Sequence, residues 1–169
     1  ACEGLDSEIK RKVLDLYAGK RFPLHPDEAG SEIVLSELEA KRCALMYWEA
    51  LDFAKKVDDH LRSKRGDQYD LEVSIDETTA PTLPAHHLFI IRELVRRGVT
   101  VNSIAPRFIG EFQKGIDYIG ELDEFERQFI IHAAIAKANS GYKISVHSGS
   151  DKFSIYSEIA LFIYDLDFI

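Results

Sequence analysis

Apolar side chains recur at threes and fours through the first third of the chain. In Ser7–Gly19 they fall at Ile9, Val13, Leu14 and Tyr17, behind a capping serine and ahead of a glycine stop, which predicts a helix. The following ten residues, 21–30, hold two prolines and a glycine and predict a connector. From Ser31 to Arg65, Val34, Leu38, Leu45, Trp48, Leu51, Ala54, Val57 and Leu61 repeat with charges between them. That spacing predicts one long helix, closed by a turn over Lys64–Gln68.

The period changes at Tyr69. Leu71–Glu77 alternates and is rich in β-formers, Pro84–Gly98 is amphipathic with proline at its start, and Val99–Ala105 reads as a strand. Glu121–Gly141 is a helix with an acidic first turn, and Tyr142–Ser148 is a third strand. Strands alternating with helices form a parallel sheet with right-handed crossovers, either open and doubly wound or an arc of a closed barrel. The chain reads as a single partial domain over 1–169. A helical part covers 1–66, a β-α-β-α-β part covers 67–158, and an atypical tail covers 159–169.

Parallel sheets gather their chemistry at the carboxyl ends of the strands. Here the first strand ends in Asp76-Glu77, with Glu72 and Ser74 on the same face as Asp76. The acids suit a metal-binding oxygen and a general base, or equally a cap on the turn that follows. The second strand runs into Pro106-Arg107 and a loop carrying Glu111. The third ends in His147, whose imidazole suits either a divalent cation or a structural hydrogen bond. The loop behind it, Ser148-Gly149-Ser150-Asp151-Lys152, offers hydroxyls, backbone N–H groups and an ammonium to a carboxylate, or is a solvated turn. His86 and His87 open their helix at the same rim of the sheet and read as surface positions in preference to a reach toward substrate or metal, and His132, mid-helix, reads as structural. No G-x-G-x-x-G follows the first strand and no P-loop motif occurs, which removes the usual support for nucleotide binding.

The net charge of −8 argues against nucleic acid or an anionic membrane as partner. An anionic small molecule would need local capture by arginine or lysine. Cys2 and Cys43 match no metal-ligand spacing and read as reduced thiols of a cytoplasmic protein. No stretch has the apolar length of a membrane span. The chain opens at Ala1 and holds one methionine, Met46, in mid-helix, so a piece of something longer is expected.

Three blocks then carry a resemblance: LEVSIDETTAPTLPAHHLFIIRELVRRGV, SIAPRFIGEFQKGIDYIGELDEFE and YKISVHSGSDKFSIY. Together with VLDLYAGKRF they resemble the carboxyl-terminal half of the tagaturonate epimerase family, from about Val13 to Tyr156. SEIALFIYDLDFI departs from the expected continuation. The resemblance implies a partial TIM-type (β/α) barrel with parallel strands, preceded by long helices. It implies a metal-dependent sugar-acid epimerase that interconverts D-tagaturonate and D-fructuronate in hexuronate catabolism. The divalent cation would be Zn, Mn or Ni, held by His147 and an acid of the first strand, for which Asp76 is the candidate. Glu77 or Glu72 would move the proton. Arg107, Glu111, Ser148, Ser150 and Lys152 are the candidates for binding a sugar acid. The other readings are a different metal-dependent sugar isomerase or dehydratase on the same barrel, or a catalytically silent structural module. Three strands cannot close a barrel, so bare edges lead to an expectation of homo-oligomerisation.

Overall fold

Asp6 opens the first helix by accepting hydrogen bonds from the backbone of Glu8 and Ile9, in a computed structural model that describes residues 5–24, 32–76 and 78–165. This helix, α1, is Ser7–Tyr17 and buries Val13 and Tyr17. The chain divides into two units, Ala1–Asp70 with Ala85–Thr100, and Leu71–Pro84 with Val101–Ile169.

In the first unit, strands β1 (Arg21–Pro23) and β2 (Glu32–Val34) pair antiparallel, with Phe22 opposite Ile33. Two expectations are corrected here. Residues 21–23, expected to be connector, are a strand, and the long helix expected from Ser31 begins only at Glu37. The reason lies in the period: Phe22 and Leu24, then Ile33 and Leu35, alternate into the core, and that spacing of two wins locally. Ser36 then resets the backbone. Its hydroxyl accepts from the Glu39 amide while the Glu39 carboxylate accepts from the Ser36 amide, a reciprocal cap for α2 (Glu37–Arg65).

Helix α3 (Pro84–Arg96) brings Glu93 into the interior of the first unit, fully buried. A carboxylate there is tolerable only with partners. It accepts from the Tyr17 hydroxyl at 2.7 Å, from Arg96 at 2.9 Å and from Arg97, whose guanidinium lies 4.4 Å from the Trp48 ring centroid. Burial pushes the Glu93 carboxyl upward, but the bonds from Arg96, Tyr17 and Arg97 outweigh it and leave it below its ordinary value. His86 meets the Tyr47 hydroxyl at 3.1 Å, and His87 is buried, so neither is a surface position.

The second unit holds a parallel three-stranded sheet in the order β3 (Glu72–Ser74), β4 (Ser103–Ala105), β5 (Lys143–Ile144). The expected parallel α/β arrangement is therefore present, on strands shorter than their sequence patterns. Register sets Glu72 beside Ser103, and Ser103 beside Lys143. Helix α4 (Leu122–Ala138), a 3-10 turn (Gly149–Asp151) and α5 (Phe153–Asp165) complete the unit. Phe108, Tyr118, Phe125, Phe129 and Ile155 form its core, with Ile144 and Val146 of the β5 segment packed against them. His132 lies edge-on to Phe108, and burial pushes its pKa down to about 4, as suits a structural imidazole. Among the described residues no helix is long and apolar enough to cross a membrane.

Glu93 is the polar keystone of the first unit, which makes it a test of how that unit is held. Glu93→Ala leaves two guanidinium groups without their shared carboxylate and is expected to cost roughly 3 kcal/mol. Tyr17→Phe removes one hydrogen bond and is expected to cost about 1 kcal/mol. Urea unfolding followed by circular dichroism reads both, and equal midpoints for Glu93→Ala and wild type would contradict the assignment.

Candidate functional site

Alternation along the strands gives the sheet of the second unit two unlike faces. Val73, Ile75, Ile104, Ile144 and Val146 share one parity, with Ile75 and Ile104 buried. Glu72, Ser74, Asp76, Ser103, Ser145 and His147 have the other and make a polar face. On that face the His147 ring lies between two carboxylates: Nδ1 is 2.7 Å from Asp76 Oδ2 and Nε2 is 2.8 Å from Glu72 Oε1. Each acid has a hydroxyl behind it. Ser103 donates to Glu72 Oε2 at 2.6 Å, and Ser74 donates to Asp76 Oδ1.

A neutral imidazole has one N–H, so it could satisfy only one of these acids and would turn a lone pair on the other. The arrangement therefore favours the imidazolium, which donates at both nitrogens. The hydrogen bond to Glu72 raises the His147 pKa above its ordinary value against the effect of burial, and the bond to Asp76 adds to it. Glu72 is held below its ordinary value chiefly by Ser103, with help from His147 and Ser145. Burial pushes Asp76 up, but the bonds from Ser74 and His147 outweigh it, and it too sits low.

This cluster borders a cavity of about 420 Å³, within the range of small-molecule sites. Asp76, His147 and Ser148 line one side, and Pro106–Phe108 and Gly110–Gln113 line the rest. Arg107 is fixed by donating from its guanidinium to the Thr78 carbonyl and from its backbone to Thr82 Oγ1 at 3.0 Å. Glu111 accepts from Gln113 Nε2 at 2.6 Å. Gly110 has a φ of 91°, and a Cβ there would meet the Tyr118 ring at 2.4 Å, so the loop closes around that ring only with glycine. Ser148 sits in the left-handed region with a φ of 53°, a conformation that costs a non-glycine residue on the order of 1 kcal/mol and recurs at functional sites.

The structure thus brings Glu72, Asp76 and His147 into one hydrogen-bonded group and sets Arg107, Glu111 and Ser148 around the adjoining cavity. Ser150 and Lys152 are not among the residues that line it. The 3-10 turn leaves Ser150 exposed, with its carbonyl accepting from Tyr156, and carries Lys152 into the interior. Glu77 lies outside the described residues. Sequence reasoning missed Ser103 and Ser145 as partners of Glu72, although their parity in the second and third strands was a usable signal. It also missed Phe112 and Gln113, which sit in a loop with no period to read.

One imidazole and two carboxylates are donors that a divalent cation accepts. Among the described residues no group of three or more His, Cys, Asp or Glu side chains stands ready to hold one. What fits is narrower. Nε2 of His147 and Glu72 Oε1 flank a proton that a cation could replace, while Asp76 holds Nδ1–H, the usual arrangement behind a ligating histidine. Asp76 thus meets the His147 ring at Nδ1 and Glu72 meets it at Nε2.

A sequence profile described as tagaturonate epimerase matches residues 1–164 of the chain, past Tyr156 and through most of the tail set apart above. The tagaturonate/fructuronate epimerase of Thermotoga maritima is 44% identical over 151 residues, covering 89% of this chain and 30% of that protein. The native crystal structure of the fructuronate-tagaturonate epimerase of Cohnella laeviribosi superposes with a TM-score of 0.89 at 40% identity, over 98% of this chain and 33% of that one. A glycerol complex of the same enzyme gives a TM-score of 0.89 at 39% identity with the same coverage. The chain spans about a third of the length of these relatives.

The protonation of His147 can be read directly by NMR titration of its ring in the metal-free chain. It should titrate above a reference histidine, and Glu72→Gln should lower it more than Asp76→Asn. Because the folded value of His147 lies above the unfolded one, the stability contributed by its protonated ring is complete below the ordinary histidine pKa, as long as Glu72 and Asp76, both held low, remain ionised. It is lost as pH rises through the folded value. A His147 that titrates at or below the reference would refute the doubly donating imidazolium.

Proposed function

The chain belongs to the tagaturonate epimerase family, and from that premise we propose that it works in the interconversion of D-tagaturonate and D-fructuronate, in cytoplasmic hexuronate catabolism, with the cavity beside His147 as the substrate site. The relatives bear this activity in their names, and the parallel strands are, on this reading, an arc of a (β/α) barrel. The observation that carries the proposal is His147 held between Asp76 and Glu72 at the rim of a cavity that also contains Arg107.

The two ketoacids differ at C4, the carbon β to the ketone at C2. Removing a proton from C3, the α carbon, cannot invert that centre. Retro-aldol cleavage can. A base takes the proton of the C4 hydroxyl, the C3–C4 bond opens as C4 becomes an aldehyde, and the bonding pair goes to C3 as an enediolate. Rotation of the aldehyde face and re-addition, with the proton returned to the new C4 oxygen, completes the inversion with atoms and electrons balanced. Glu72, held acidic by Ser103 and His147, is a weak base and suits charge balance beside His147 Nε2. The proton is therefore assigned to Glu77, which needs a pKa near the working pH. Arg107, already fixed by Thr78 and Thr82, grips the substrate carboxylate with its remaining N–H groups. A divalent cation (Zn²⁺, Mn²⁺ or Ni²⁺), held by His147 Nε2 and Glu72, supplies Lewis-acid polarisation of the ketone when bound.

Turnover in D₂O tests the mechanism: retro-aldol chemistry keeps the C4 hydrogen, and deuterium at C4 of the product would eliminate it. Glu77→Gln is expected to lower kcat by roughly 10²-fold or more. Arg107→Gln is expected to raise KM for the ketoacid by about tenfold, the effect of 1.4 kcal/mol of lost binding. No interconversion of the two ketoacids would end the proposal itself.

Cation uptake has its own readout. Calorimetry with Mn²⁺, Ni²⁺ or Zn²⁺ in two buffers of different ionisation enthalpy should register release of about one proton per cation, because the Nε2 proton must leave. His147→Ala should abolish that release. Uptake that is pH-independent and unchanged in His147→Ala would place the cation elsewhere.

A further inference from the structure

Lys152 is fully buried, and its ammonium is aimed at backbone. Nζ donates to the Gln113 carbonyl at 2.6 Å and to the Ile116 carbonyl at 2.5 Å. A buried ammonium is costly unless its donors are used, and the oxygens that use them belong to a loop with no helix or sheet ladder of its own. That loop is closed at its base where the Glu111 amide donates to the Ile119 carbonyl at 2.9 Å. Its tip is tied three more times to the same short segment: the Gly115 amide donates to Asp151 Oδ2 at 3.0 Å, and Asp117 Oδ1 accepts from the Ser154 amide at 3.2 Å and hydroxyl at 3.0 Å.

These ties join the loop that supplies part of the cavity lining to the segment that follows two other lining residues. Glu111, Phe112 and Gln113 are the loop's share of the lining, and the segment that carries Lys152 begins directly after His147 and Ser148, which line it too. The Gln113 carbonyl is held by Lys152 while its side chain donates to the Glu111 carboxylate, so a displacement of Gln113 moves Glu111 with it. We propose that Lys152 is a positioning residue that fixes the cavity-lining Glu111–Gln113 segment at its distance from His147, instead of touching substrate itself. This rests on the reading of the cavity as the sugar-acid site.

Hydrogen exchange and ligand affinity, both measured on the full chain, test the proposal. In Lys152→Met, which keeps the stem and removes the donors, amides of 112–117 should exchange about tenfold faster or more, with those of α4 unchanged. The Kd for D-tagaturonate, the probe used, should rise about tenfold, since a wall displaced by about 1 Å loses its alignment. Lys152→Arg, which keeps donors for both carbonyls, should restore slow exchange and most of the affinity. Should the methionine variant fail to fold, Lys152→Gln reads the same segment with an amide donor left in place, and intermediate exchange is expected. Unchanged exchange at 112–117 in a folded Lys152→Met overturns the tie. Faster exchange with unchanged Kd overturns its role in the site. A wild-type chain that binds no tagaturonate counts against the substrate reading, while the exchange comparison still decides whether Lys152 holds the loop.

Discussion

A single imidazole held between two carboxylates organises the chemistry of this chain. His147 reaches Asp76 through one ring nitrogen and Glu72 through the other, at 2.7 and 2.8 Å. Two like charges that close would repel and raise each other's pKa if nothing stood between them. Both carboxyls instead sit below their ordinary values, because serine hydroxyls and the imidazolium stabilise the charged form. The histidine and its acids are therefore one electrostatic unit.

That unit depends on register. Glu72 and Asp76 lie two steps of the pleat apart on β3 and its extension, and His147 follows β5, with β4 between them. A slip of one residue in either pairing would turn a polar side chain into the aromatic core and an isoleucine onto the polar face. The apolar face prevents such slips. Ile144 and Val146 are committed to the cluster of Phe108, Tyr118, Phe125, Phe129 and Ile155. Burial on one side of the sheet thus sets the positions of titratable groups on the other.

The parallel sheet and the meeting of Asp76 with His147 were legible in the sequence because both follow from period: β-rich alternation separated by helices, with polar residues at one set of strand ends. The strands β1 and β2 were not: three residues carry too few positions to read a period, β1 holds Pro23, and β2 runs into the helical pattern behind it. The reciprocal cap of Ser36 and Glu39 was the available sign that α2 starts late. Helix α5 went unread because its start follows a 3-10 turn and a serine-glycine loop, which carry no helical period. The fate of Lys152 could not be read at all. A lysine in a serine-glycine turn looks solvated, and only the fold of a distant loop, with its carbonyls turned inward, makes it an interior residue.

The same geometry sets a competition at His147. Glu72 faces Nε2 and raises the His147 pKa, and on the proposed reading the carboxylate that favours a proton there is the one that would share a cation in its place. The contact of Asp76 with Nδ1 would hold a proton there in either state, so the ring would not need to flip if Nε2 changed partner. The bond from Ser103 fixes the Glu72 carboxylate without occupying the oxygen that faces Nε2. On the proposed reading, two fixed supports on either side of one exchangeable position would let a cation take the place of the proton with little movement of the side chains around it. The ties from Asp151, Lys152 and Ser154 to the loop that lines the same cavity would help it keep its dimensions through that change.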